Sequence, residues 1–250
     1  MKRIDSAKNP KVKQWKKLHT RKEREATKSF LVEGYHLVEE ALKEKDQIIE
    51  LILGEESNVP SSWNLDDVSI TMVPSEVLKA ISDTETPQGA AAVCRQKKEA
   101  EQKSWERILL IDGLQDPGNL GTIIRTADAA GLDGIVLGEG TVDLYNSKVI
   151  RSSQGSIFHI PVVKGSLGEW LNELNEKEIT VYGTSLQNGS DYRTADQGDP
   201  FALLIGNEGS GVREEWLQMT KRNLYIPIRG KAESLNAGIA AGILMYHLRG

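Results

Sequence analysis

Apolar positions recur along this chain in two alternating forms, short unbroken runs and stripes at helical spacing, and their alternation predicts an α/β protein. In the C-terminal part the runs fall at residues 109–111, 134–137, 157–163, 179–184, 201–205 and 225–228, each suited to a buried strand. Between them, Leu120, Ile123, Ile124 and Ala127 recur as one helix face over residues 120–130, with Gly131 where a C-terminal cap is expected. Residues 146–153 and 167–176 give two further helices, and Ala237 to Leu244 starts a last one built of small residues that permit close backbone approach. Strands and helices in alternation imply a largely parallel sheet with both faces covered.

The N-terminal part has the same rhythm on a smaller scale. Asn9-Pro10 opens a helix with Val12, Trp15 and Leu18 on one face, followed by the run 30–32, a helix over 35–43 and a strand over 48–53. A polar stretch at 55–65 leads to a strand at 68–73, a helix from Pro74-Ser75 to Ile81, and a strand at 89–93. We therefore expect a small α/β domain over residues 1–95, a polar linker over 96–104 and a second α/β domain over 105–250.

Charge changes this picture at one end. Residues 1–28 hold eleven of the 31 Lys and Arg but only three of the 36 Asp and Glu, so a basic arm precedes an acidic body. Lys8, Lys11, Lys13, Arg21 and Arg24 around the first helix offer cations for the phosphates of a polyanion, or else a solvated helix face; Lys148 and Arg151 extend a basic edge on the second domain. Cys94 is the one cysteine, so no intramolecular disulfide forms, and no Cys/His spacing suggests a metal. The longest apolar run, 237–246, is about half of the roughly 20 residues that a membrane span needs. These features point to a cytoplasmic chain without membrane attachment.

Chemistry concentrates in three places. Asp116-Pro117-Gly118-Asn119 turns a strand into a helix, with Asn119 as its expected cap and Arg125 further along; both sit where open α/β sheets place ligands, and both also suit plain capping and solvation. Gly206-Asn207-Glu208-Gly209-Ser210-Gly211 follows the run 201–205 and fits neither a P-loop nor a dinucleotide fingerprint. Glu208 there suits a cationic or hydroxyl-bearing ligand, or a helix start. Ser234-Leu235-Asn236 precedes the last helix, either as cap or as site.

Together, residues 116–125, 205–211, and Ile226-Pro227 with Ser234-Leu235-Asn236 resemble the three motifs of the SpoU/TrmH family of RNA ribose methyltransferases, in order and in spacing. Residues 1–95, with Asn9-Pro10, residues 30–34 and Thr86-Pro87-Gln88-Gly89, are similar to the substrate-binding domain often placed before that catalytic domain. One departure is Ala237-Gly238, where many members carry Val-Ser. The resemblance implies a parallel-sheet SPOUT domain tied in a deep trefoil knot, a homodimer, S-adenosylmethionine as cofactor and no metal. It implies cofactor contacts at Gly206, Ile226, Leu235, Thr184 and Ser185, and a catalytic set of Arg125, Asn119, Glu208, Ser234 and Asn236. Arg125 is then either the base that activates a ribose 2′-hydroxyl or a clamp on the developing alkoxide or a phosphate. A preceding substrate-binding domain favours ribosomal RNA, with 23S ribosomal RNA first. The alternatives are transfer RNA as substrate, or a catalytically silent RNA-binding or ribosome-assembly protein.

Overall fold

Strands form at most of the apolar runs, in a computed structural model that describes residues 2–44, 46–97 and 105–250. They sort into two compact units. Most of the expected 96–104 linker, from residue 98 on, lies outside the described residues.

The N-terminal unit is built from β1 (Lys2–Arg3), α1 (Pro10–Lys17), α2 (Arg21–Thr27), β2 (Ser29–Glu33), α3 (Tyr35–Lys43), β3 (Ile48–Gly54), β4 (Ile70–Val73), α4 (Ser75–Ile81) and β5 (Ala90–Arg95). Its sheet runs β1-β4-β3-β5-β2, parallel from β1 to β3 and antiparallel onward. Asn9 caps α1 by accepting from the Lys11 amide, as its place before Pro10 predicts. Val12, Trp15 and Leu18 then bury against Ile52, Val77 and Leu78.

The second unit is built from β6 (Arg107–Ile111), α5 (Pro117–Ala129), β7 (Gly134–Leu137), β8 (Val162–Lys164), α7 (Leu167–Glu176), β9 (Thr180–Thr184), β10 (Ser190–Asp191), β11 (Phe201–Ile205), α8 (Glu214–Leu217), β12 (Arg222–Tyr225) and α9 (Ala237–Arg249), with α6 (Ser147–Ser153) lying between β7 and β8 in sequence. Seven strands in the order β10-β12-β9-β11-β6-β7-β8 make one sheet, parallel at every pairing. From β6 the chain winds outward through β7 and β8, then crosses to build the other half beyond β11. The direction reverses between β6 and β11, and ligands of open parallel sheets bind beyond the carboxyl ends at such a point. Among the described residues no helix is long and apolar enough to cross a membrane.

Three expectations change. The run at 157–163 is not one strand: Ser156–Phe158 forms a 3-10 turn and only Val162–Lys164 pairs with β7. A short apolar run has no period that separates strand from buried turn, and here Ile157 and Phe158 are buried as a turn. The run at 225–228 pairs three residues earlier, as Arg222–Tyr225, because Leu224 lies opposite Thr184 and leaves Ile226 beyond the ladder.

The third concerns α6, which was expected in the second domain. Tyr145–Phe158 belongs by packing to the N-terminal unit. The Phe30 ring lies 4.5 Å from that of Tyr145 and 6.2 Å from that of Phe158. Ser147 donates to the Asp83 carboxylate at 2.5 Å, and Arg151 stands 3.6 Å from the same carboxylate. Gly155, at φ +96°, passes so close to Glu40 that a Cβ would meet its Cγ at 2.5 Å.

Candidate functional site

The site grows from the first turn of α5. Asp116, not Asn119, is the cap: its carboxylate accepts from the Asn119 amide at 2.8 Å, and Pro117 takes the first helical position, where its missing N–H costs nothing. Asn119 therefore sits inside the helix with its side chain released from capping. At the other end Gly131, at φ +70°, closes α5, with the Leu132 amide bonded to the Ala127 carbonyl.

Glu208 supplies the partner. Its carboxylate accepts from the backbone amides of Gln115 at 3.0 Å and Asp116 at 2.9 Å, and from the Asn119 side chain at 3.0 Å. Partial burial pushes this carboxyl upward, but the three donors outweigh it and hold it below the ordinary glutamate value. Glu208 is thus a carboxylate at neutral pH.

That charge orients the rest. A carboxylate only accepts, so the Asn119 amide must present its NH2 to Glu208 and its oxygen outward. Asn236 donates to that oxygen at 2.8 Å. With its own NH2 so engaged, Asn236 turns its oxygen to the Gly238 and Ile239 amides at 2.9 and 3.2 Å and caps α9. Glu208, Asn119 and Asn236, from three segments, form one directed chain of hydrogen bonds. The capping and catalytic alternatives for Asn236 are therefore compatible in one side chain.

The loop that carries Glu208 is tightly closed. Asn207 and Gly211 exchange backbone hydrogen bonds at 3.0 Å each, the Asn207 oxygen accepts from the Gly209 and Ser210 amides, and its NH2 donates to the Gly113 carbonyl at 2.8 Å. Gly206 lies flat against the returning strand of this loop: a Cβ there would stand 2.1 Å from the Gly211 carbonyl carbon and from the Val212 nitrogen. Only glycine fits.

Thr184, Gly206 and Ile226 stand at or just past the carboxyl ends of β9, β11 and β12, which are neighbours in the sheet. Ser185 continues this edge, its amide bonded to the Leu224 carbonyl at 3.0 Å, and the Thr184 hydroxyl donates to the Leu204 carbonyl at 3.1 Å. Leu235 is 37% exposed, an apolar side chain next to Asn236 in sequence. Backbone edges, an apolar side chain and a nearby carboxylate suit a ligand combining a nucleoside's hydrogen-bonding face with a positive charge.

Arg125 and Ser234 stay outside the directed chain. Both are exposed, and among the described residues neither side chain has a hydrogen bond or ion pair. Arg125 follows Asn119 by about 9 Å of helix rise, on a face turned by about 120°. It flanks the seam where α9 lies against α5, at which a Cβ on Gly238 would stand 3.2 Å from the Thr122 methyl carbon and one on Gly242 3.4 Å from that of Thr126.

The N-terminal cations divide. Lys8 and Lys13 are exposed, and Arg21 is exposed beside Glu25 at 2.7 Å. Arg24 is buried at 4% exposure and donates to the Leu18 carbonyl, and Lys11 donates to the buried Glu50 at 2.5 Å, so these two are framework residues of their unit. On α6, Lys148 is exposed while Arg151 turns toward Asp83. Gln115 had not been singled out, and Asp116 and Asn207 had been quoted in their motifs without the roles they take here, which are backbone geometry around Glu208. The Asp-Pro dipeptide is the one signal that marks a cap there.

Comparison with known proteins agrees with this geometry. The sequence profile described as the SpoU rRNA Methylase family matches residues 106–246, and that of the MRM3-like substrate binding domain matches residues 9–92. The 23S rRNA (guanosine(2553)-2′-O)-methyltransferase RlmP of Bacillus subtilis is 53% identical over 250 residues, covering all of both chains. An AdoMet-bound rRNA methyltransferase from Sinorhizobium meliloti superposes with a TM-score of 0.89 at 32% identity, over 99% of this chain and 97% of that one. The SpoU methyltransferase AviRb from Streptomyces viridochromogenes, in complex with AdoMet, gives 0.85 at 28% identity, over 96% and 97%.

Proposed function

We propose that this chain, which belongs to the SpoU rRNA methylase family, transfers a methyl group from S-adenosylmethionine to a ribose 2′-hydroxyl of 23S ribosomal RNA. The observation that carries the reading is the Glu208–Asn119–Asn236 chain, which joins all three sequence motifs at the switch point of a parallel sheet. Identity of 53% over the full length of an enzyme named for 2′-O-methylation of 23S rRNA supports the substrate.

When bound, S-adenosylmethionine supplies an electrophilic methyl on a sulfonium that leaves as a neutral thioether. The protein's task is then to align the nucleophile and manage one proton and one developing charge. Gly206, Ile226 and the Thr184-Ser185 edge would hold the cofactor by backbone groups, and Leu235 would supply an apolar contact. Glu208, ionised and held by three donors, fixes Asn119 and through it Asn236, so that the loop bearing Ser234 and Leu235 starts from a set point. Arg125, exposed and without a carboxylate partner among the described residues, keeps its charge for the substrate. A guanidinium stays protonated in proteins, so Arg125 acts as a clamp on the developing alkoxide or the adjoining phosphate, while solvent takes the proton.

The family's trefoil knot and homodimer belong to the same reading. To bring Asn236 to Asn119, the chain leaving β12 must cross the carboxyl ends of β9 and β11, the path along which a knotted C-terminus threads. Ile239 and Tyr246 are each 55% exposed and lie with Ile243 on one stripe of α9, beside the seam flanked by Arg125. A second copy of this chain covers that stripe and brings substrate within reach of Arg125. Ile239→Lys with Tyr246→Lys is then expected to give a monomer in sedimentation and to lose activity with it. A double variant that sediments as wild type would remove this interface.

RNA is engaged by the N-terminal unit through Lys8, Lys13 and Arg21, with Lys148 on α6, and the protein works in the cytoplasm. The test is transfer of labelled methyl to ribosomal and transfer RNA lacking the modification, followed by nucleoside analysis. A 2′-O-methylated nucleoside from 23S RNA is expected. Label in transfer RNA alone, or in a base, would overturn the reading.

A further inference from the structure

Asp112 directly follows β6 as a carboxylate with 2% exposure, in a position that the motif residues do not explain. Its amide continues the ladder to β11 by donating to the Ile205 carbonyl at 2.8 Å. Its side chain takes three hydrogen bonds from a single residue: Oδ2 from the Arg213 amide at 2.9 Å, and Oδ1 from the Arg213 Nε and Nη2 at 2.9 and 2.7 Å. Arg213 is the residue at which the Glu208 loop ends. Its guanidinium also lies 5.0 Å from the Trp216 ring centroid and 3.4 Å from Glu215.

Two loops therefore run side by side and are joined at three levels. Arg213 binds Asp112, Asn207 binds the Gly113 carbonyl, and Glu208 binds the Gln115 and Asp116 amides. The first is the strongest by type, since a charged fork and a backbone amide share one carboxylate. Stability alone is a poor reason for it: the Arg213 side chain is half-exposed, and an ion pair with a solvated partner adds little. What an apolar pair lacks is direction: the fork fixes the register of one loop against the other.

We propose that Asp112 and Arg213 are a positioning pair for methyl transfer, which set the register at which the Glu208 carboxylate meets Asn119. The role rests on the methyl-transfer reading above. Neither residue touches the reacting atoms; each acts through Glu208.

The experiment measures kcat, the KM for ribosomal RNA, cofactor affinity by calorimetry and Tm, in the full-length protein. Arg213→Lys, which keeps the charge and loses the fork, is expected to lower kcat by about tenfold, and Arg213→Ala by up to about 10²-fold, the scale on which small misplacements act. KM and cofactor affinity should stay near wild type. In the Glu208→Gln background, Arg213→Ala is expected to have little further effect on kcat, because the two act as one unit. Multiplicative losses, or a lowered Tm with unchanged kcat in the folded enzyme, would leave the pair purely structural and overturn the proposal. Arg213 is half-exposed, so its variants keep the test open if Asp112→Asn fails to fold. A wild-type enzyme that methylates ribosomal RNA while Arg213→Lys and Arg213→Ala keep its kcat overturns the pairing alone; a wild-type enzyme that transfers no methyl overturns both readings.

Discussion

Arg125→Ala is expected to lower methyl transfer to ribosomal RNA on the order of 10²–10³-fold, the usual cost of removing one preorganised donor to a developing negative charge. The loss should fall on kcat and leave cofactor affinity and Tm near wild type. Arg125 is exposed, and among the described residues its guanidinium has no hydrogen bond or ion pair to lose. Folding therefore does not draw on it, and substrate does. Arg125→Lys separates clamp from base. A planar fork that holds an alkoxide or phosphate bidentately is poorly replaced by a point charge, so the lysine variant should stay nearly as slow as the alanine one. A lysine whose pKa is lowered in the site would instead restore proton removal, with a rate that rises through its titration. Labelled methyl transfer under single-turnover conditions, followed against pH, reads both. Full activity of Arg125→Ala would remove the residue from the mechanism.

How far the residues alone carried this picture depends on what kind of constraint each position obeys. In the second unit β6, β7, β9 and β11 were legible because burial on both faces demands continuous apolar runs, and 109–111, 134–137, 179–184 and 201–205 supply them. By contrast, β8 and β12 fell only partly within the runs at 157–163 and 225–228. β1 and β10 were not, being two residues each with no apolar period to display. Tyr145–Phe158 packs with the N-terminal unit because the Phe30 ring lies against those of Tyr145 and Phe158, a pairing across more than a hundred residues that no local pattern encodes. The site shows the same division. Asn119, Glu208 and Asn236 were singled out as motif residues, yet their union in a chain of directed hydrogen bonds spans 89 and 117 residues of sequence. Asp116 took the cap expected of Asn119 because Pro117 fits the first helical position. Arg24 shows the limit of reading charge as surface. It lies in a cluster of cations that suggests phosphate contact, and the fold buries it to bond the Leu18 carbonyl.

Gly206→Ala is expected to be the most damaging one-methyl change in the second unit. Its added carbon would lie 2.1 Å from the Gly211 carbonyl carbon and the Val212 nitrogen, and 2.3 Å from the Gly211 oxygen. These are backbone atoms, fixed on one side by the Asn207–Gly211 hydrogen bonds and on the other by Arg213 on Asp112, so no flexible side chain yields. The loop must open, and opening draws Glu208 away from Asn119. Overpacking of this kind costs about 1–3 kcal/mol, and more where nothing relaxes. The variant should therefore melt several degrees lower, and it should lose cofactor affinity together with kcat. That joint loss distinguishes it from Arg125→Ala, in which the cofactor still binds. Calorimetry with S-adenosylmethionine beside a thermal melt checks it; tight cofactor binding by a folded Gly206→Ala would mean that the loop opens without moving the cofactor edge, and would place the binding groups elsewhere.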